Sequence, residues 1–221
     1  MVAGGVQERS GYCGLTMDSA HDPRPVERML FFTDAVVAIA MTLLILPLLE
    51  SVTEAAREGL NTAQFLAAND GQLASFCLSF FIILLFWRGH DLLLTGVEHQ
   101  GSGLFWLNGL WMFSIVSLPV VTAMIGAMET DKLQLGLYIG TMLATSLIMA
   151  GMQLILLRRP QLLRDGVTRH PSDLAPAIAN SIMFALALVI ALTVPGASFW
   201  SLLALFLRTP LEHLLRRRMG A

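Results

Sequence analysis

The sequence predicts an all-α polytopic membrane protein with six transmembrane helices and both termini on the cytoplasmic side. Three observations carry this reading. Hydrophobic residues make up 55% of the 221, charged residues only 14%, and the mean hydropathy is +0.67. That is the composition of an integral membrane protein and not of a soluble domain. The apolar residues gather in long windows, each near the ~20 residues that cross a bilayer as a helix. The fourteen Lys and Arg residues fall almost entirely on alternate loops.

Taken in order, Met29–Leu49 holds one charge, Asp34. Gly71–Trp87, Gly103–Met128 and Leu133–Leu157 hold none. Leu174–Leu207 also lacks charges but is too long for one span, and Pro195-Gly196 divides it into a hairpin of two. Proline removes a backbone donor and glycine favours a turn. No other span is expected to be broken. With the N-terminus inside, the inner segments hold Arg9, Arg24, Arg28, Arg88, Arg158, Arg159, Arg164, Arg169, Arg208, Arg216, Arg217 and Arg218, against Arg57 and Lys132 outside. This is a strong positive-inside bias. A five-span chain would place Arg216–Arg218 outside, against the rule. The first outer loop carries Glu50, Glu54, Glu58 and Asp70, and its segment Ser51–Asn69 is expected to form a short surface helix.

The domain organisation follows: a disordered cytoplasmic tail over 1–24, a six-span domain over 25–208 and a basic cytoplasmic tail over 209–221. The first segment lacks the apolar core of a signal peptide, and Met17 is an alternative start to Met1. A net charge of −2 gives no reason to expect nucleic acid. Cys13 sits in the polar tail and Cys77 in an apolar run, so neither a disulfide nor a zinc site is expected. No H-E-x-x-H, G-x-S-x-G or pair of intramembrane aspartates is present. The chain therefore reads as no enzyme, with no cofactor and no resident metal. Gly136, Gly140 and Ala144 form a small-residue row in the fourth span; close packing on a neighbouring helix and chance explain it equally well.

The first span carries the most information. On a helical wheel Ala35, Ile39, Thr42 and Leu46 fall within about 60°, and Asp34 lies about 140° from Ile39. An intramembrane carboxylate is costly and needs partners. Asp34 therefore either caps the helix near the inner interface or faces other helices of its own subunit, with Arg28 or polar groups of spans two and three as partners. The apolar stripe, on geometry alone, reads as ordinary helix packing. Trp87 fits an interfacial anchor and His90, just past span two, a solvated side chain. Asn108, inside span three, needs a buried partner, for which Asp34 and Arg28 lie at similar depth.

Arg28-x-x-x-Phe32-Thr33-Asp34 resembles the R-x-x-x-F-S-D signature of the transmembrane-175 family of potassium channels. The resemblance continues through "AVVAIAMTLLILPL", through "SFFIILLFWRGH" with Trp87 and His90, and through "WLN" at Trp106–Asn108 followed by Pro119 and Thr122. Thr33 stands in place of serine and keeps the hydroxyl. Asp91 stands where the family often has a second histidine, which bears on how Arg28 is paired. The resemblance implies a potassium-permeable homotetramer whose four first helices line one pore. Ile39 and Leu46 would then form apolar rings with Thr42 hydroxyls between them, and Ala35 would continue the lining. Arg28, Phe32, Thr33, Asp34, Trp87, His90 and Asn108 would form a polar clamp holding the first helix. No T-V-G-Y-G filter is present, so selectivity would come from a hydrophobic constriction, with potassium ions passing transiently. A bacterial plasma membrane and its lipid bilayer fit the single repeat. The competing reading is a proton-linked secondary transporter using Asp34, although such proteins usually place ionisable groups near the midplane of broken helices.

Overall fold

A computed structural model describes residues 24–129 and 131–193, and within them the fold is helical. Seven helices follow in order: α1 (Pro25–Leu43), α2 (Leu46–Arg57), α3 (Thr62–Ala68), α4 (Asp70–Leu94), α5 (Ser102–Ala127), α6 (Lys132–Arg158) and α7 (Ala175–Thr193). Five helical segments are long and apolar enough to span a bilayer: α1 with α2, then α4, α5, α6, and α7 with the 3₁₀ turn before it. The sixth expected span, the Pro195-Gly196 turn and both tails lie outside the described residues.

The first span is not one straight helix. α1 ends at Leu43 and α2 begins at Leu46. Pro47 has no N–H to give the Leu43 carbonyl, so the α-helical ladder is interrupted there. The turn tightens instead, with the Ile45 N–H donating to the Thr42 carbonyl at 3.3 Å. The expectation that only the last pair of spans is broken is thus corrected, and Leu46 lies beyond the reach of a wheel drawn through α1. The expected helix over Ser51–Asn69 is also corrected. α2 carries on to Arg57, Gly59 turns the chain at φ +72°, and α3 restarts at Thr62. Asn61 and Gln64 cap α3 reciprocally, each side chain accepting the other's backbone N–H, a capping box.

α5 and α6 form the centre, with α1 and α4 against α5, and α7 against α6. The buried stripe of α1 is Val26, Met29, Thr33, Val37 and Ala40, the three-to-four spacing of a packed helix face. It meets a core that includes Ile83, Leu104, Trp111, Ile115 and Leu118. At the end of the bundle that carries the arginines, the α4–α5 and α6–α7 connections pair. Val97 and Leu163 form an antiparallel bridge, the Arg164 N–H donates to the Gly96 carbonyl at 2.9 Å, and Glu98 bonds Arg24. Gly96 has φ +82°, and a Cβ there would come 3.2 Å from Val167. A side chain would meet both backbone strain and crowding.

Among the described residues the small-residue row of α6 makes no close helix contact. A Cβ on Gly136 would meet only the Leu192 side chain at 3.7 Å, Gly140 has open space, and Ala144 is exposed.

Candidate functional site

Two faces of α1 define the site. The inward stripe carries Thr33, whose hydroxyl donates to the Met29 carbonyl at 2.8 Å. With its hydrogen committed there, Thr33 Oγ1 can only accept, and it takes the Asn108 side-chain N–H at 2.9 Å. Asn108 must then turn its carbonyl oxygen the other way, 2.7 Å from His90 Nε2. That contact requires His90 to carry its hydrogen on Nε2. Trp111, one turn after Asn108, stacks on the His90 ring with centroids 4.0 Å apart. Thr33, His90, Asn108 and Trp111 are all buried, so α1, α4 and α5 are fastened by one polar relay inside an apolar core, in which Trp111 Nε1 alone has no partner among the described residues.

This corrects two expectations. Asn108 is partnered by Thr33 and His90, not by Asp34 or Arg28. His90 is a buried member of α4, not a solvated residue past its end, because α4 continues to Leu94. Asp91 pairs with Arg88 one turn earlier at 2.9 Å, not with Arg28.

Asp34 and Trp87 form a separate contact. Trp87 Nε1–H donates to Asp34 Oδ1 at 2.8 Å. On the wheel Asp34 lies about 95° from the centre of the buried stripe, on the flank of α1. It is exposed in the single chain. Arg28 and Phe32 are exposed as well, and among the described residues neither joins the relay. Replacing Asp34 with alanine removes one partly exposed, charge-assisted bond. We expect a loss of about 1 kcal/mol in stability, read as a lower thermal midpoint in detergent, with Asp34→Asn recovering most of it.

The opposite face of α1 carries Ala35, Ile39 and Thr42, centred about 150° from the buried stripe. All three are exposed in the single chain, Ile39 by 59%, and Leu46 beyond the break is exposed too. The Thr42 hydroxyl donates to the Ile39 carbonyl at 2.8 Å. Its hydrogen is therefore turned back to the helix and its lone pairs face outward, the polarity a cation would meet. Among the described residues no His, Cys, Asp or Glu cluster could hold a metal, and Cys77 is a free thiol.

Sequence reasoning missed Trp111 and the second relay, in which Thr122 Oγ1 lies 2.8 Å from Ser79 Oγ and Ser79 lies 2.8 Å from the Tyr138 hydroxyl. The signal was there: Ser75, Ser79, Phe86 and His90 recur on α4 at helical spacing, and Trp111 follows Asn108 by three residues.

Residues 28–119 match the model of the family described as endosomal/lysosomal potassium channel TMEM175. Among solved structures the chain is similar to a lysosomal potassium-selective channel TMEM175 homologue from Chamaesiphon minutus. The TM-score is 0.63 at 19% identity, over 89% of this chain and 98% of that one. It is also similar to a variant of the potassium channel MtTMEM175, solved in complex with a nanobody fusion protein. Here the TM-score is 0.59 at 20% identity, over 86% of this chain and 91% of that one. No curated protein matches. At these identities the structural likeness speaks for the fold, and the matched segment begins at Arg28, the first residue of the arginine-to-aspartate signature. On that match, its signature and the shared fold, the chain is an integral membrane protein whose residues 28–119 resemble the TMEM175 family.

Proposed function

We propose that the protein is a potassium-permeable cation channel, working as a homotetramer in a bacterial plasma membrane, with α1 of each copy around a common ion path. The observation that carries this reading is the outward face of α1. Ala35, Ile39 and Thr42 lie opposite the packed stripe and are exposed among the described residues. A face left exposed among the described residues favours an ion path over packing within the subunit. One helix lines only one side of a path, so several copies are needed to close it.

Asp34 supports the same arrangement. A carboxylate on the outside of a single subunit would face hydrocarbon at a cost that reaches about 2.5–3.5 kcal/mol at the centre of a span and falls toward its ends. Cover from a neighbouring copy or from water in a central path removes that cost. In the channel, four Ile39 side chains form the constriction and Thr42 follows it with outward lone pairs. Leu46 sits beyond the α1–α2 break and forms the next apolar ring. Potassium is preferred because it gives up part of its hydration more easily than sodium on entering a narrow apolar neck, so the preference is moderate.

The transporter reading has one observation in its favour, the break in the first span. However, the break at Leu44–Ile45 stands about 15 Å along the axis from Asp34, so acid and unwound backbone do not form one site. Recording purified protein in a planar bilayer separates the readings. We expect unitary current steps and a reversal potential displaced toward potassium under opposed potassium and sodium gradients. Flux without unitary steps, coupled to a proton gradient, would favour the transporter. Native mass spectrometry should show four copies; activity from a monomer would end the proposal.

A further inference from the structure

Between α4, α6 and the start of α7 lies a cavity of about 460 Å³, away from the outward face of α1. Its walls are mostly apolar, with Ile82, Phe86, Met149 and Phe184 among them. Phe86 and Phe184 stack with centroids 5.8 Å apart, so α4 and α7 meet there. Leu85 and Leu92, on the exposed side of α4, form its rim. In a bilayer that rim would open sideways to lipid.

Two hydrogen-bond donors on residues lining this apolar space lack a partner among the described residues. Gln153 is only 3% exposed, and its Nε2 has no acceptor. Arg169 Nε is buried and also has none. The Arg169 guanidinium is not loose, because Nη2 donates to the Leu93 and Thr95 carbonyls at 2.9 and 2.7 Å. Of the three N–H bonds that remain, the one on Nε is buried, and Arg169 lines the cavity. Orphaned buried donors are costly and few in native proteins, so each calls for an explanation, a bound group among them. Asp173 also lines the cavity, but one of its oxygens accepts the His170 backbone N–H at 2.9 Å. The connection 158–173 carries four arginines against two aspartates, of which Arg169 and Asp173 line the cavity.

Two donors, one of them on an arginine, call for an anionic acceptor, and apolar walls opening to lipid call for a hydrocarbon chain. We propose that this cavity binds a membrane phospholipid of net negative charge. Its phosphodiester would accept from Gln153 Nε2 and Arg169 Nε, and one acyl chain would lie along Ile82 and Phe86. Basic pockets between transmembrane helices select acidic headgroups in this way. Such a lipid ties α4 to α7, which otherwise touch little.

The test is native mass spectrometry of the full-length protein in detergent, with equal amounts of dioleoyl phosphatidylglycerol and dioleoyl phosphatidylcholine. In a separate arm glycerol 3-phosphate is added alone. We expect phosphatidylglycerol adducts to survive collisional activation several-fold better than phosphatidylcholine adducts, and glycerol 3-phosphate to leave no adduct. Gln153→Leu and Gln153→Glu should lose that preference while keeping the size-exclusion profile of the wild type. Equal retention of the two lipids by the wild type would overturn the proposal, whatever the variants do. So would an unchanged preference in Gln153→Leu, or a stable adduct with glycerol 3-phosphate, which would mark a site for a free anion.

Discussion

Ile39→Asn is expected to raise unitary conductance and bring the potassium-over-sodium preference close to unity. The reason is the physics of a narrow apolar neck. A ring of isoleucines dewets readily and makes an ion shed water to pass. Asparagine is close to leucine in size but carries two donors and an acceptor. Four of them would keep the neck wet and let sodium through with its hydration largely intact. Because Ile39 is exposed in the single subunit, the change leaves the core untouched, and assembly should be unaffected. Thr42→Val should act the other way. It keeps volume but removes the outward lone pairs, so potassium current should fall while the preference stays. Val37→Asn is the contrast: Val37 is 2% exposed, and a buried amide without partners costs about 1–3 kcal/mol, so that variant should lose stability and not selectivity. Reversal potentials and unitary currents for the three, beside thermal midpoints, distinguish path from packing.

Asn108→Leu is expected to be the most damaging single change to stability among the polar residues. It leaves the His90 Nε2–H buried against hydrocarbon with no acceptor and deprives Thr33 of its incoming bond. The orphaned donor alone costs about 1–3 kcal/mol. His90→Phe in the same chain should restore part of the loss, since it removes the donor and keeps a ring against Trp111. Replacing both partners with apolar groups is far cheaper than removing one. A double-mutant cycle on thermal midpoints checks this. If the double variant is no better than Asn108→Leu alone, His90 and Asn108 are not coupled as described.

What the sequence made legible was whatever depends on composition and local spacing. The five described spans fall where the charge-free windows lie, and the flank position of Asp34 follows from the wheel through α1. Partner choice was less legible. Asn108 demanded a partner, but whether it met Asp34 or Thr33 depends on how α5 is rotated against α1. Adjacent residues on α1 point about 100° apart, and no local signal decides between them. His90 was misplaced because Arg88 and Asp91 suggest that α4 ends with its apolar run, whereas the helix continues to Leu94. Those two charges pair with each other on the exposed side, so they do not end the helix. Pro47 was visible but lies near the end of an apolar window, where a break looks the same as a helix end. The pairing of Val97 with Leu163 joins segments far apart in the chain and has no signature in either.

The most direct test of a path lined by α1 is cadmium block of Ile39→Cys in a background carrying Cys13→Ser and Cys77→Ser. Thiolates bind soft divalent metals strongly, and several cysteines converging on one axis form a ready cadmium site. We predict that bath cadmium stops the potassium current of Ile39→Cys channels, that a chelator restores it, and that the serine background is insensitive. Full current through cadmium-treated, correctly assembled Ile39→Cys protein would place the ion path elsewhere.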